Sequence, residues 1–211
     1  MRRRSPIDTA IGHFDTALRT LTGTSRAARP SPANFHEEAD LTQQERELAG
    51  RLMRINHCGE VCAQALYMGQ GLTSSSTSTR ASMQQAAAEE VDHLEWCETR
   101  LTELDSHKSF LNPVFFTLSF AQGAVSGLLG DRFNLGFVAA TEEQVMQHLD
   151  DHLSQLPEKD QRTRAILEQM KTDEGNHRTT ALNQGGADFP GPVKKLMTGL
   201  SRFMTRTTYW V

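Results

Sequence analysis

The sequence predicts an all-α protein built on a four-helix bundle, and three observations carry that prediction. Alternating apolar and polar strand patterns are absent from the 211 residues. From Asp40 onward apolar residues recur at helical spacing, with no proline until Pro113. Twice, a glutamate is followed three residues later by a histidine, and each pair has a lone glutamate about thirty residues upstream: Glu60 before Glu90 and His93, Glu142 before Glu174 and His177. Four helices that point such a set inward make a two-metal site.

The elements follow in order. Ile7, Ile11, Phe14, Leu18 and Leu21 predict a short amphipathic helix over 6–22. The connector SRAARPSPANFHEEA, with Pro30 and Pro32, is expected to be extended and poorly anchored. Asp40 can cap a helix over 41–70. The run TSSSTST separates it from a helix over 79–105, and Asn112-Pro113 opens one over 112–129. Gly130-Asp131 breaks that from 131–155. Pro157 suits the first turn of 158–184, and QGGADFPGP precedes 191–207. Residues 1–39 thus read as a short helix and connector, and 40–211 as the main domain. The halves 41–105 and 131–184 look like a duplicated helix pair, with 112–129 crossing between them.

Composition excludes several classes. A net charge of -4 gives no case for nucleic-acid binding. Three cysteines, an odd count within helices, argue against a disulfide framework and for a reducing compartment. Cys58 and Cys62 stand one turn apart beside His57, which admits a zinc site, though small buried cysteines are common helix filler. The opening MRRRSPIDTA has no apolar run behind its arginines, so no secretory signal is expected, and Asp8 and Asp15 count against a mitochondrial presequence.

A single Glu-x-x-His pair is usually two polar residues on an exposed helix. Here both pairs interrupt apolar stripes: Met83, Ala86, Glu90, His93, Leu94, Cys97 and Leu101 in one, Leu167, Met170, Glu174, His177 and Ala181 in the other. Residues three apart share a helix face, so each pair can reach one ion. Glu142 continues the row of Leu135, Val138, Ala139 and Leu149, whereas Glu143 sits with Gln147 and Asp150, so Glu142 is the expected ligand. Glu60 lies on a more polar stripe and is the least secure on periodicity. Four carboxylates neutralise two divalent ions, and one imidazole per ion suits iron or manganese better than zinc or calcium. Asp173 and Glu89 precede the pair glutamates, and each is expected to hydrogen-bond the other half's histidine. His57 and His148 are expected near the site, and His13, His36 and His107 in solvent.

Two segments depart from ordinary bundle helices. Residues 114–129 run sixteen positions without charge, too short to span a bilayer. Residues 193–210 carry an apolar stripe with Lys194, Lys195, Arg202 and Arg206 around it, and end in Tyr209 and Trp210. That pattern suits a membrane surface, with packing on the bundle or at a dimer interface as the alternative. Phe115, Phe116, Phe120, Leu196, Leu200 and Phe203 are the expected membrane or substrate face.

The stretches RINHCGEVCAQALYMGQ (54–70), AAEEVDHLEWCETRL (87–101), GFVAATEEQVMQHLDDHL (136–153) and MKTDEGNHRTTAL (170–182) resemble, in order, the four ligand helices of the demethoxyubiquinone hydroxylase family. The resemblance covers about residues 40–211. Cys58 stands where that family often has a residue such as alanine. The resemblance implies a ferritin-like fold and hydroxylation of the demethoxyubiquinol ring by O2, at the next-to-last step to ubiquinone, with electrons traced to NADH. It implies one iron held by Glu60, Glu90 and His93, the other by Glu142, Glu174 and His177, with Glu90 and Glu174 bridging. It also implies a bacterial, peripheral protein on the cytoplasmic face of the inner membrane, with other ubiquinone-biosynthesis proteins as candidate partners. The rival readings are a ferritin-like iron store, a rubrerythrin-like peroxidase and a metal-free lipid-binding bundle.

Overall fold

A computed structural model describes residues 6–23 and 26–211; Arg2, Arg3 and Arg4 lie outside the described residues. It contains seven α-helices and no strand among those residues: α1 (Pro6–Thr22), α2 (Gln43–Thr73), α3 (Thr77–Glu103), α4 (Asn112–Leu128), α5 (Asp131–Gln155), α6 (Gln161–Asn183) and α7 (Gly191–Thr208). Among the described residues no helix is long and apolar enough to cross a membrane. α2 packs on α3 and α5 on α6; the pairs meet through α3 with α6 and α2 with α5, while α4 lies along α2.

Local capping chemistry moves several boundaries. α2 starts at a capping box, in which the Thr42 hydroxyl accepts from the Glu45 N–H and the Glu45 carboxylate accepts from the Thr42 N–H. Asp40 is therefore not the cap. The break after α2 is only residues 74–76, because the Ser76 hydroxyl accepts from the Thr79 N–H and starts α3 early. α6 opens later than Pro157: Asp160 caps it by accepting from the Thr163 N–H at 3.1 Å.

The connector before α2 is anchored, contrary to the expectation from its prolines. It holds a 3-10 turn, Pro32–Phe35, whose Ala33 is buried in the core with Leu41, Trp96 and Leu101. The Arg29 guanidinium reaches Asp92 and Asp173 on α3 and α6. Glu38 pairs with Arg100, a fully buried guanidinium that also contacts Glu103 and lies 2.9 Å from Asp160.

Glycines set how α4 meets α2. A Cβ on Gly123 would lie 2.3 Å from the Leu66 carbonyl oxygen, and one on Gly69 would lie 2.3 Å from that of Phe120. The backbones touch where the side chains are missing, and this chooses the buried side of a helix that is apolar nearly all round. Phe115 and Phe116 consequently turn inward, and Phe120 packs partly against Phe116, Val61 and Leu94. Val114, Leu118, Val125 and Leu128 are the large exposed apolar residues of α4 instead. Leu196, Leu200 and Phe203 of α7 are exposed, as are Ile7, Ile11, Phe14 and Leu18 of α1.

Candidate metal centre

The six expected ligands converge from four helices, Glu60 from α2, Glu90 and His93 from α3, Glu142 from α5, Glu174 and His177 from α6. Donor atoms of Glu60, Glu90, His93 and Glu174 lie within 4.8 Å of one another, and so do those of Glu142, Glu174 and His177. The His93 Nδ1 is 3.0 Å from Glu90, 3.2 Å from Glu174 and 3.5 Å from Glu60. The His177 Nδ1 is 3.0 Å from Glu174 and 3.5 Å from Glu90. Each pair's glutamate therefore faces both histidines, and the halves share their central carboxylates. Glu60 is buried despite its polar stripe. Glu143 is half-buried rather than in open solvent and pairs with Lys194 at 2.8 Å, not with the cluster.

The histidine Nε2 atoms point away from the cluster. Asp173 takes that of His93 at 3.0 Å, and Glu89 takes that of His177 at 2.7 Å. His148 instead meets the Ser201 hydroxyl at 2.9 Å. Six residues from Glu142 it lies roughly 240° around the helix, off the ligand face. His57 bonds Asn112, and Cys58 accepts from Thr208, so these side chains already have other partners than a shared zinc ion. Tyr67, a residue not singled out above, donates its hydroxyl to Glu142. Its signal was spacing: seven residues, two helical turns, after Glu60.

Electrostatics show how strongly the buried carboxylates and imidazoles act on one another. Burial, then the charges of Glu174 and Glu60, push Glu90 well above the ordinary carboxylate range. Burial and the charge of Glu174 do the same to Glu142. Burial would also raise Glu174, but bonds from His177 and His93 hold it at about 2. Burial would lower His177, yet Glu174 and Glu142 raise it to about 9. Glu90 Oε1 and Glu142 Oε2 are buried and make no hydrogen bond. A buried carboxylate oxygen without a hydrogen bond is costly, and divalent ions among these oxygens would satisfy both. The donor set fits iron or manganese.

A cavity of about 480 Å³ adjoins the cluster between α2, α4, α5 and α7. Its wall is mostly apolar, with Phe115, Phe137, Leu149, Leu200 and Phe203, and Glu60 forms part of it.

The model of the family described as ubiquinone biosynthesis protein COQ7 matches residues 47–208, a span that contains all six residues of this cluster. The chain belongs to the COQ7 family. It is 58% identical over 210 residues to a 3-demethoxyubiquinol 3-hydroxylase of Ectopseudomonas mendocina, covering 99% of this chain and 97% of that one. It is 55% identical over 209 residues to the enzyme of that name from Chromohalobacter salexigens, covering 99% and 98%. It is 54% identical over 212 residues to that from Acinetobacter baylyi, covering all of both chains.

Proposed function

We propose that this protein is a 3-demethoxyubiquinol 3-hydroxylase, a monooxygenase that adds a hydroxyl to the ring of demethoxyubiquinol with O2 at a two-iron centre in a ferritin-like bundle. One observation carries the reading beyond likeness: Glu60 belongs both to the buried cluster and to the cavity wall. A ring in the cavity would therefore lie against the metal position.

Glu60, Glu90 and His93 would hold one iron and Glu142, Glu174 and His177 the other, with Glu90 and Glu174 shared. When bound, iron supplies O2 activation, which side chains alone cannot, with electrons traced to NADH. The chain's residues do the rest. The walls from Phe115, Phe137 and Leu149 exclude water and take the apolar tail. Asn56, Gln144 and Ser201 line the same cavity and offer polar partners to a quinol oxygen. Asp173 and Glu89 keep each histidine's Nε2 proton outward, leaving Nδ1 for metal.

The exposed apolar residues of α1, α4 and α7, with Lys195, Arg202 and Arg206 on α7, support peripheral attachment to a lipid surface. The proposed place is the cytoplasmic side of an inner membrane, with residues 40–211 as the catalytic domain and room for other ubiquinone-biosynthesis proteins as partners. An iron store or peroxidase would share the ligands but has no use for the apolar cavity.

The test is anaerobic Fe(II) loading followed by O2 with and without demethoxyubiquinol. About two irons per chain and a product heavier by one oxygen atom are expected. Iron uptake with O2 consumed and no ring hydroxylation would leave storage or peroxidase chemistry in place of this reading.

A further inference from the structure

The two halves of the cluster are held unequally. His177 is backed by Glu89, whose side chain is 37% exposed and whose other oxygen accepts from Gln85. His93 is backed by Asp173, which is buried and held on both oxygens: Gln169 donates to Oδ1 at 3.0 Å, and the Arg29 Nη1 lies 2.9 Å from Oδ2, the oxygen that meets His93. Arg29 comes from the connector, far from either ligand helix in sequence. It also pairs with Asp92, whose Oδ1 accepts from the Ala28 N–H at 2.6 Å. Its guanidinium stacks 5.0 Å over the Trp96 ring, and Trp96 donates its indole N–H to the Arg29 carbonyl at 3.4 Å. Trp96 in turn packs against His93, ring centres 5.4 Å apart. Arg29 thus bears on His93 by two routes, through Asp173 and through Trp96.

We propose that Arg29 is a positioning residue for one half of the metal site, and that the connector acts as a clamp making the two metal positions unequal. The fork of the guanidinium ties Asp92 on α3 to Asp173 on α6. This fixes Asp173 as an ionised acceptor aimed at the His93 Nε2–H and leaves Nδ1 turned to the Glu60, Glu90 and Glu174 oxygens. Among the described residues no guanidinium ties Glu89 to a second helix, so the His177 half keeps more freedom. The inference rests on reading the cluster as a metal site.

The experiment is Co(II) titration of the metal-free full-length chain, read by calorimetry and by the visible absorption of the bound ion, with melting curves to confirm folding. The unaltered chain should bind two Co(II) in distinguishable steps. Arg29→Gln should weaken one step about 10- to 100-fold and shift its absorption, leaving the other step unchanged. Asp173→Asn should weaken the same step, and Glu89→Gln the other one. Equal weakening of both steps by Arg29→Gln, or no change in either, would overturn the clamp, as would Asp173→Asn and Glu89→Gln acting on one step. Failure of the unaltered chain to bind Co(II) at all would overturn the metal reading itself, a result distinct from these.

Discussion

The His177 Nδ1 lies 3.5 Å from Glu90 Oε1, although the two belong to opposite Glu-x-x-His pairs. The reciprocal contact, His93 Nδ1 to Glu174 Oε1, is 3.2 Å. Shared central carboxylates predict coupled loss. Glu90→Gln and Glu174→Gln should lower the affinity for both irons, whereas Glu142→Gln should chiefly lower one, each by more than the roughly 10- to 100-fold expected for outer partners. Calorimetric Fe(II) titration under argon separates the two patterns; a single-step loss for Glu90→Gln would contradict sharing.

Metal affinity should rise with pH. The raised His177 takes its proton with a favourable contribution that is fully present below 6.5 and lost as pH rises through about 9. Metal must displace that proton, so metal-free stability falls across this window while affinity grows, with protons released on loading. Titrations in buffers of differing ionisation enthalpy count the protons. An affinity flat over that range would contradict this.

Occupying the cavity should separate binding from metal loading. Gly59 lies on the cavity wall and a Cβ there meets nothing within 4 Å. Gly59→Phe is expected to leave iron content unchanged and to raise KM for the quinol by about tenfold or more, a loss of about 1.4 kcal/mol in binding. Steady-state kinetics on iron-quantified protein decides it.

The α2–α4 contact should tolerate no added methyl. Gly123→Ala pushes a Cβ against the Leu66 carbonyl and is expected to cost about 1–3 kcal/mol. Gly199→Ala, with open space around it in α7, should instead gain about 0.5–1 kcal/mol. Urea melts of both variants give the comparison.

Removing the buried Arg100 should be severe. Arg100→Met leaves Asp160 buried beside a lost partner and should cost about 3–5 kcal/mol. Adding Asp160→Asn removes the stranded charge while keeping a capping side chain for α6, and should recover part of the loss. A double-mutant cycle of denaturant midpoints measures the coupling.

Much of this was legible in residue order. Helix boundaries fell close to the periodicity because apolar spacing and proline position act locally. That Glu142 is more deeply buried than Glu143 was readable because one face of a helix is turned to the core and the other is not. The direction of α4 was not readable. It is apolar on every side, and only contact with the Gly69 backbone turned Phe115 and Phe116 inward. The connector was misread for a related reason. Its prolines report local backbone preference, whereas its anchors, Asp92, Asp173 and Arg100, lie more than sixty residues away.

By itself the sequence determined the helices, the six inward Glu and His side chains and the family, since those follow from periodicity, spacing and motif. Only the tertiary structure decided that the central glutamates face both histidines, that Glu60 opens onto an apolar cavity, and that Arg29 stands behind His93. Each of these is a contact between helices or between a helix and a distant connector, and such contacts depend on how faces pack rather than on any residue's neighbours in the chain.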